Sequence, residues 1–194
     1  MSIVVAVRKN NALVMAADTL TCFSEDEQVP PDNASAEKIM RIGHSVVGGA
    51  GWGLYDDIFR DFLAGREPPG LDSEGSIFSF FLELWKALHE KYTFVNDQAH
   101  DKDSPFGDLD SSFLIANRTG IYRVSSDLSV SRFKQYCSTG SGSEYALGAV
   151  HALYHSSATA REIAEEAVRA AIAFNVFCGG TVQVLEIEQH PHDA

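Results

Sequence analysis

The sequence predicts an α+β fold in which antiparallel sheets lie between layers of helix. Three observations predict it. Apolar alternation recurs in adjacent pairs separated by short polar turns, as in hairpins. Two segments at helical spacing follow the first strands, and two more follow the second set before one last strand. No repeat or internal linker interrupts that order, so residues 1–194 are expected to form a single domain.

The elements follow in turn. Ser2 to Arg8 alternates as a strand, Lys9-Asn10-Asn11 has turn chemistry, and Ala12 to Ala17 is the returning arm. Thr19 to Ala36 is polar, acidic and bears Pro30-Pro31, which predicts a long loop. Lys38–Ile42 and His44–Val47 form a second strand pair leading into the glycine-rich "GGAGWG" of residues 48–53. Leu54 to Gly65 places Leu54, Ile58, Phe59, Phe62 and Leu63 at helical spacing. A longer helix is expected near Gly75–Phe94, with Phe78, Phe81, Leu82, Leu84, Trp85 and Leu88 inward. The acidic stretch "NDQAHDKDSPFGDLD" separates it from strands at Ser112–Ala116, Ile121–Ser125 and Val130–Phe133, the first two joined by "NRTG". "YCSTGSGSEYALGAVHALYHSS" reads as strand, Ser/Gly bend and helix. "TAREIAEEAVRAAIAF" opens with a Thr159-x-x-Glu162 capping box, and "TVQVLEIEQ" is the last strand before a polar tail.

Composition narrows the function. A formal charge of −12 argues against nucleic acid or an anionic membrane as partner. Part of the acid is local: no Lys or Arg lies between Lys9 and Lys38, whereas Asp18, Glu25, Asp26, Glu27, Asp32 and Glu37 do. No stretch approaches the roughly 20 apolar residues of a membrane span, and no signal-peptide pattern opens the chain, so a cytoplasmic location is expected. Cys22, Cys137 and Cys178 are odd in number and lack CxxC spacing, which predicts reduced thiols. "GGAGWG" has neither GxGxxG nor GxxxxGK spacing, and the histidines have no HExxH-like spacing; no cofactor and no metal are expected. "STGSGS" lacks the GxSxG register of a nucleophile elbow.

What remains is Ser2. Removal of Met1, which a small second residue permits, leaves a hydroxyl and a free α-amine on one residue. With an ordinary pKa near ~8, that amine is partly an unprotonated base at neutral pH, within reach of its own hydroxyl. A nearby ammonium lowers the amine's pKa, and a carboxylate holds that ammonium in place. The chemistry requires an immobile first strand, and a strand beginning directly after Met1 meets that requirement.

The opening hairpin "SIVVAVRKNNALVMAADT", the "EKIMRI" strand, the glycine-rich turn into a helix, and "STGSGSEYALGAVHALYHSSATAREIAEEAV" together resemble the proteasome β-subunit superfamily, in particular the HslV-type peptidases. The resemblance runs nearly the whole chain in order. It implies a four-layer αββα sandwich of two antiparallel sheets, the N-terminal nucleophile hydrolase fold. It places Ser2 at the family's nucleophilic threonine, Asp18 at the aspartate that holds the catalytic lysine, and Lys38 at that lysine. Ser141 falls at the serine that hydrogen-bonds around the terminal amine, and Gly53, or alternatively Gly51, at the backbone oxyanion donor.

The sequence departs from the family in three places. Serine for threonine loses the γ-methyl that restricts the rotamer. Asn175 and Cys178 stand before Gly179-Gly180 where many relatives carry aspartate and serine; the HslV-type peptidases also lack that aspartate. The Asp18–Lys38 segment is longer than the common family spacing, and this longer acidic loop, the acidic chain overall and the serine nucleophile together resemble the betaproteobacterial proteasome homologues. The resemblance thus implies an endopeptidase acting through an acyl-enzyme on peptides or unfolded proteins. Its subunits would form a ring of six or seven copies, stacked in pairs. Without a Walker motif, any ATP-dependent unfolding requires a separate protein. Two other readings stay open: a non-catalytic ring or scaffold subunit, and an N-terminal-nucleophile hydrolase of small amides.

Overall fold

A computed structural model describes residues 2–22, 29, 33, 36–92 and 109–187. Met1, most of the acidic loop after Cys22, all but the last two residues of "NDQAHDKDSPFGDLD" and the polar tail lie outside the described residues.

The chain opens with β1 (Val4–Lys9) and β2 (Ala12–Asp18), paired in register from Val4↔Ala17 to Lys9↔Ala12. Asn10 takes a left-handed conformation (φ 52°) at the turn, which asparagine tolerates better than other side-chain-bearing residues. Strands β3 (Ile39–Ile42) and β4 (Ser45–Gly51) follow, then helices α1 (Leu54–Leu63) and α2 (Glu74–Glu90). Next come β5 (Ser111–Asn117), β6 (Gly120–Val124), β7 (Val130–Phe133) and β8 (Tyr136–Thr139). Helices α3 (Ser143–Leu153) and α4 (Ala160–Phe174) and strand β9 (Val182–Ile187) complete the order. The Thr159–Glu162 capping box is formed in both directions.

Two antiparallel sheets result, ordered β8-β1-β2-β9 and β3-β4-β5-β6-β7. Three apolar cores show why they stack as four layers. One joins α1 and α2 to the outer face of the five-stranded sheet through Phe59, Phe81 and Phe113. A second joins α3 and α4 to the four-stranded sheet through Ile3, Val5, Ala164 and Val168. The third lies between the sheets, where Val4, Met15, Ile39 and Leu114 meet. Both faces of β1 and β2 are therefore buried, and their sequences are apolar almost without interruption.

The structure revises the inward faces of the first helix pair. In α2 the buried residues are Ile77, Phe80, Phe81, Leu84 and Leu88. Phe78 is 44% exposed, and Leu82 and Trp85 are half-buried, because these three form the flank of the stripe, not its centre. Leu54 is likewise exposed, and Tyr55 takes the inward place. The long helix ends at Glu90, four residues before the expected Phe94.

Candidate active site

Ser2 precedes β1 and is 5% exposed, so its position is set by burial on every side. The bend between β8 and α3 lies against it. Gly142 N–H donates to the Ser2 carbonyl oxygen (3.3 Å), and Ser141 Oγ reaches the same oxygen at 3.4 Å. Glycine is needed at position 140, where φ is +102° and a Cβ would collide with that carbonyl. The same Cβ would lie 3.1 Å from Ala50 Cβ, so the C-terminal end of β4 runs beside this bend.

Asp18 ends β2 with its carboxylate fully buried and hydrogen-bonded at both oxygens. Oδ1 accepts from the Lys38 ammonium (2.8 Å) and from Ile3 N–H (3.0 Å), the residue after Ser2. Oδ2 accepts from Gly179 N–H (3.0 Å). Lys38 is itself 5% exposed. A buried ion pair is weak evidence for stability, since apolar residues of similar volume often hold a core as well. Here the pair sits one residue from a buried serine, which directs attention to chemistry.

The backbone places Lys38 as firmly as its side chain does. Its carbonyl accepts from Gly49 N–H of β4 (3.2 Å), and its N–H donates to the Gln183 side chain of β9 (3.1 Å). Of the predicted residues, Ser2, Asp18, Lys38 and Ser141 thus form one connected cluster. Gly53 stands two residues beyond β4 as the N-cap of α1, and Gly51 pairs with Ser111 at the last rung of β4; both belong to the turn that follows the Ala50 contact.

The segment 175–179 supplies groups that sequence reasoning did not assign. Asn175 Nδ2 donates to the Ser141 carbonyl (2.6 Å), and its Oδ1 accepts from Phe177 N–H (2.9 Å), so an uncharged side chain pins the serine bend. Cys178 Sγ lies 4.0 Å from Ser141 Oγ. Burial, with the Asp18 carboxylate nearby, pushes its thiol up to about 11, so it remains protonated at neutral pH and is a poor rival nucleophile. Asp56, in the first turn of α1, is raised to about 6, chiefly by burial, with Arg60 and then Lys38 opposing. The resemblance marked Asn175 and Cys178 as departures before Gly179-Gly180, and the structure supplies the contacts they make.

Among the described residues no group of three or more His, Cys, Asp or Glu side chains is arranged to hold a metal ion. No helix there is long and apolar enough to cross a membrane.

Comparisons with known proteins bear on the family and the fold. The family pattern described as "Proteasome subunit" matches residues 108–187. A proteasome subunit beta from Nanoarchaeum equitans (strain Kin4-M) is 32% identical over 87 residues, 43% of this chain and 44% of that protein. The match therefore spans less than half the length of that curated relative. Among solved structures, Thiobacillus denitrificans BPH is 34% identical with a TM-score of 0.88, covering 97% of this chain and 99% of its own. The same protein in complex with epoxomicin gives 35% identity and a TM-score of 0.86 over 96% and 100%. HslV from Trypanosoma brucei, at 21% identity and TM-score 0.66 over 96% and 99%, is alike in fold.

Proposed function

This chain belongs to the proteasome family, and on that premise we propose that it is the peptidase subunit of a self-compartmentalising double ring, with Ser2 as nucleophile. The observation that carries the reading is the shared carboxylate oxygen of Asp18, which holds the Lys38 ammonium and the backbone of Ile3 together beside Ser2.

In this reading Met1 is removed and the Ser2 α-amine becomes free. Ser2 Oγ attacks a peptide carbonyl while its proton passes to that amine, directly or through a water. The C–N bond breaks, the departing amine takes the proton, and an ester remains on Ser2. Water then cleaves the ester, restoring the hydroxyl and releasing the carboxylate product. Lys38 supplies the positive charge that favours an unprotonated amine, Asp18 holds Lys38, and Ser141 braces the Ser2 backbone. Backbone N–H groups of the turn carrying Gly51 and Gly53 stabilise the oxyanion, where loss of one donor commonly costs ~10²–10³ in rate.

One peptidase domain spans residues 1–194, and no cofactor or metal takes part. The subunits form a cytoplasmic ring of six or seven copies stacked in pairs, acting on peptides or unfolded proteins delivered by diffusion or by a separate ATP-dependent unfoldase. The acidic chain favours cationic peptides; equal cleavage of basic and acidic peptides at low salt contradicts that preference.

Intact-mass spectrometry before and after treatment with a peptide epoxyketone tests the reading. The reagent class is that of epoxomicin, which is bound in the Thiobacillus denitrificans BPH structure. The expected result is a mass lacking Met1 and one adduct per chain, absent in Ser2→Ala. Retention of Met1, with no adduct, sinks the peptidase reading and favours a non-catalytic ring subunit. Turnover of small amides in preference to peptides favours a small-amide hydrolase.

A further inference from the structure

Lys38 lies just before β3, and β3 is one of the two edge strands of the five-stranded sheet. Among the described residues its edge away from β4 therefore has no strand partner in that sheet. In the other sheet β9 is one of the two edge strands. Side chains join the two edges: Arg41 Nη2 of β3 donates to the Glu186 carbonyl of β9 (2.6 Å), and Gln183 bridges them nearer the candidate site. Gln183 Oε1 accepts from both Lys38 N–H (3.1 Å) and Ile39 N–H (3.3 Å), and its Nε2 donates to the Ile39 carbonyl (3.0 Å). A carboxamide carries one acceptor oxygen and a donor NH₂, the same pairing of groups that a strand backbone offers. Gln183 thus acts as a short piece of ladder for an edge that would otherwise be open.

Its position in the register links this clamp to the candidate site. Gln183 lies opposite Ala17 in the β2–β9 pair, and Val182 lies opposite Asp18. Adjacent rungs of one strand pair therefore carry the carboxylate that receives the Lys38 ammonium and the amide that fixes the Lys38 backbone. With Gly49 N–H on the Lys38 carbonyl, that backbone is held from both sheets at once. A lysine side chain is long and loses much rotamer freedom when fixed, so a backbone held in place narrows the positions its ammonium can reach.

We propose that Gln183 is a positioning residue, acting through Lys38 to hold its ammonium at the distance from Ser2 and Asp18 that the reaction requires. This rests on the peptidase reading above. Displacements of about 1 Å at such a site cost up to ~10²-fold in rate. Gln183→Leu, of similar size and without hydrogen-bonding groups, is expected to lower kcat by about 10-fold or more with KM nearly unchanged. Gln183→Glu, which keeps the acceptor oxygen, is expected to retain more activity than Gln183→Leu.

Hydrogen exchange of the Lys38 and Ile39 amides reads the clamp without any need for activity. Both should lose protection in Gln183→Leu while the β1–β2 amides keep theirs. Wild-type kcat in a Gln183→Leu protein that has lost that protection overturns the proposal. So does unchanged protection. A fall in kcat matched by general loss of protection and a lowered melting point in both variants also overturns it, because the residue is then structural. Failure of the wild-type protein to react with the epoxyketone refutes the peptidase reading instead, and the exchange data still report whether Gln183 holds the Lys38 backbone.

Discussion

Removing the charges of Asp18 and Lys38 one at a time and then together separates what the pair does for the fold from what it does for chemistry. Asp18→Asn takes the carboxylate away from the buried Lys38 ammonium, and Lys38→Met leaves the Asp18 carboxylate fully buried on the Ile3 and Gly179 backbone donors without its cation. Breaking a buried pair from one side costs about 3–5 kcal/mol. The double replacement removes both charges. Its remaining loss is set by the backbone bonds to Asp18: an asparagine whose oxygen faces Ile3 N–H turns its NH₂ toward Gly179 N–H and loses that acceptor. One such hydrogen bond is worth about 1 kcal/mol, with a further penalty for the uncapped donor. The double variant should therefore lie within about 1–3 kcal/mol of wild type and above both single variants. At roughly 2–4 °C per kcal/mol for a chain of this size, the single variants should melt about 6–20 °C lower. The assay is thermal and urea unfolding at one protein concentration, because assembly contributes to apparent stability, run beside epoxyketone labelling. Labelling should be lost in all three. A double variant no more stable than the worse single variant refutes the charge argument, and one that still labels at the wild-type rate refutes the role of the pair in catalysis.

Further outcomes follow from single features of the structure. Asp56 is raised from 3.8 to about 6, so its folded form binds the proton more tightly than the unfolded chain. Its contribution to stability is complete below about pH 4 and disappears as pH rises through about 6. The shift corresponds to at most ~3 kcal/mol, which partial exposure reduces to about 1–2 kcal/mol. Asp56→Asn should flatten the stability difference between pH 4.5 and 7.5 measured by urea midpoints, and a variant with the wild-type slope counts against this assignment. Cys178, buried and pushed up to about 11, should stay unmodified by iodoacetamide at pH 7.5 in the native protein; peptide mass mapping that finds it alkylated early contradicts that environment. Gly142→Ala sets a Cβ 2.7 Å from Ala171 Cβ and 2.8 Å from Cys178 Sγ, atoms with little freedom to retreat. It should cost about 1–3 kcal/mol, read as a fall in melting point, and slow labelling of Ser2 because Gly142 N–H holds the Ser2 carbonyl.

Local patterns sufficed for the element order. Apolar runs bounded by turn chemistry marked β1, β2 and the β5–β7 meander, although β1 and β2 lack the alternation expected of them, and Thr159 with Glu162 marked the start of α4, because each signal acts over fewer than about eight residues. Ser2 was singled out by its own chemistry, and Asp18, Lys38 and Ser141 through the family resemblance. Their convergence was not legible, because Gly179 reaches Asp18 across 161 positions of sequence and Gln183 reaches Lys38 across 145. Those contacts depend on how two sheets stack and which strands fall at their edges. A sequence whose inner strands are buried on both faces carries no alternation that would reveal it. The same stacking decided that Cys178 is enclosed, that Phe78 lies on the flank of α2, and that a glutamine in the last strand meets the backbone of the lysine.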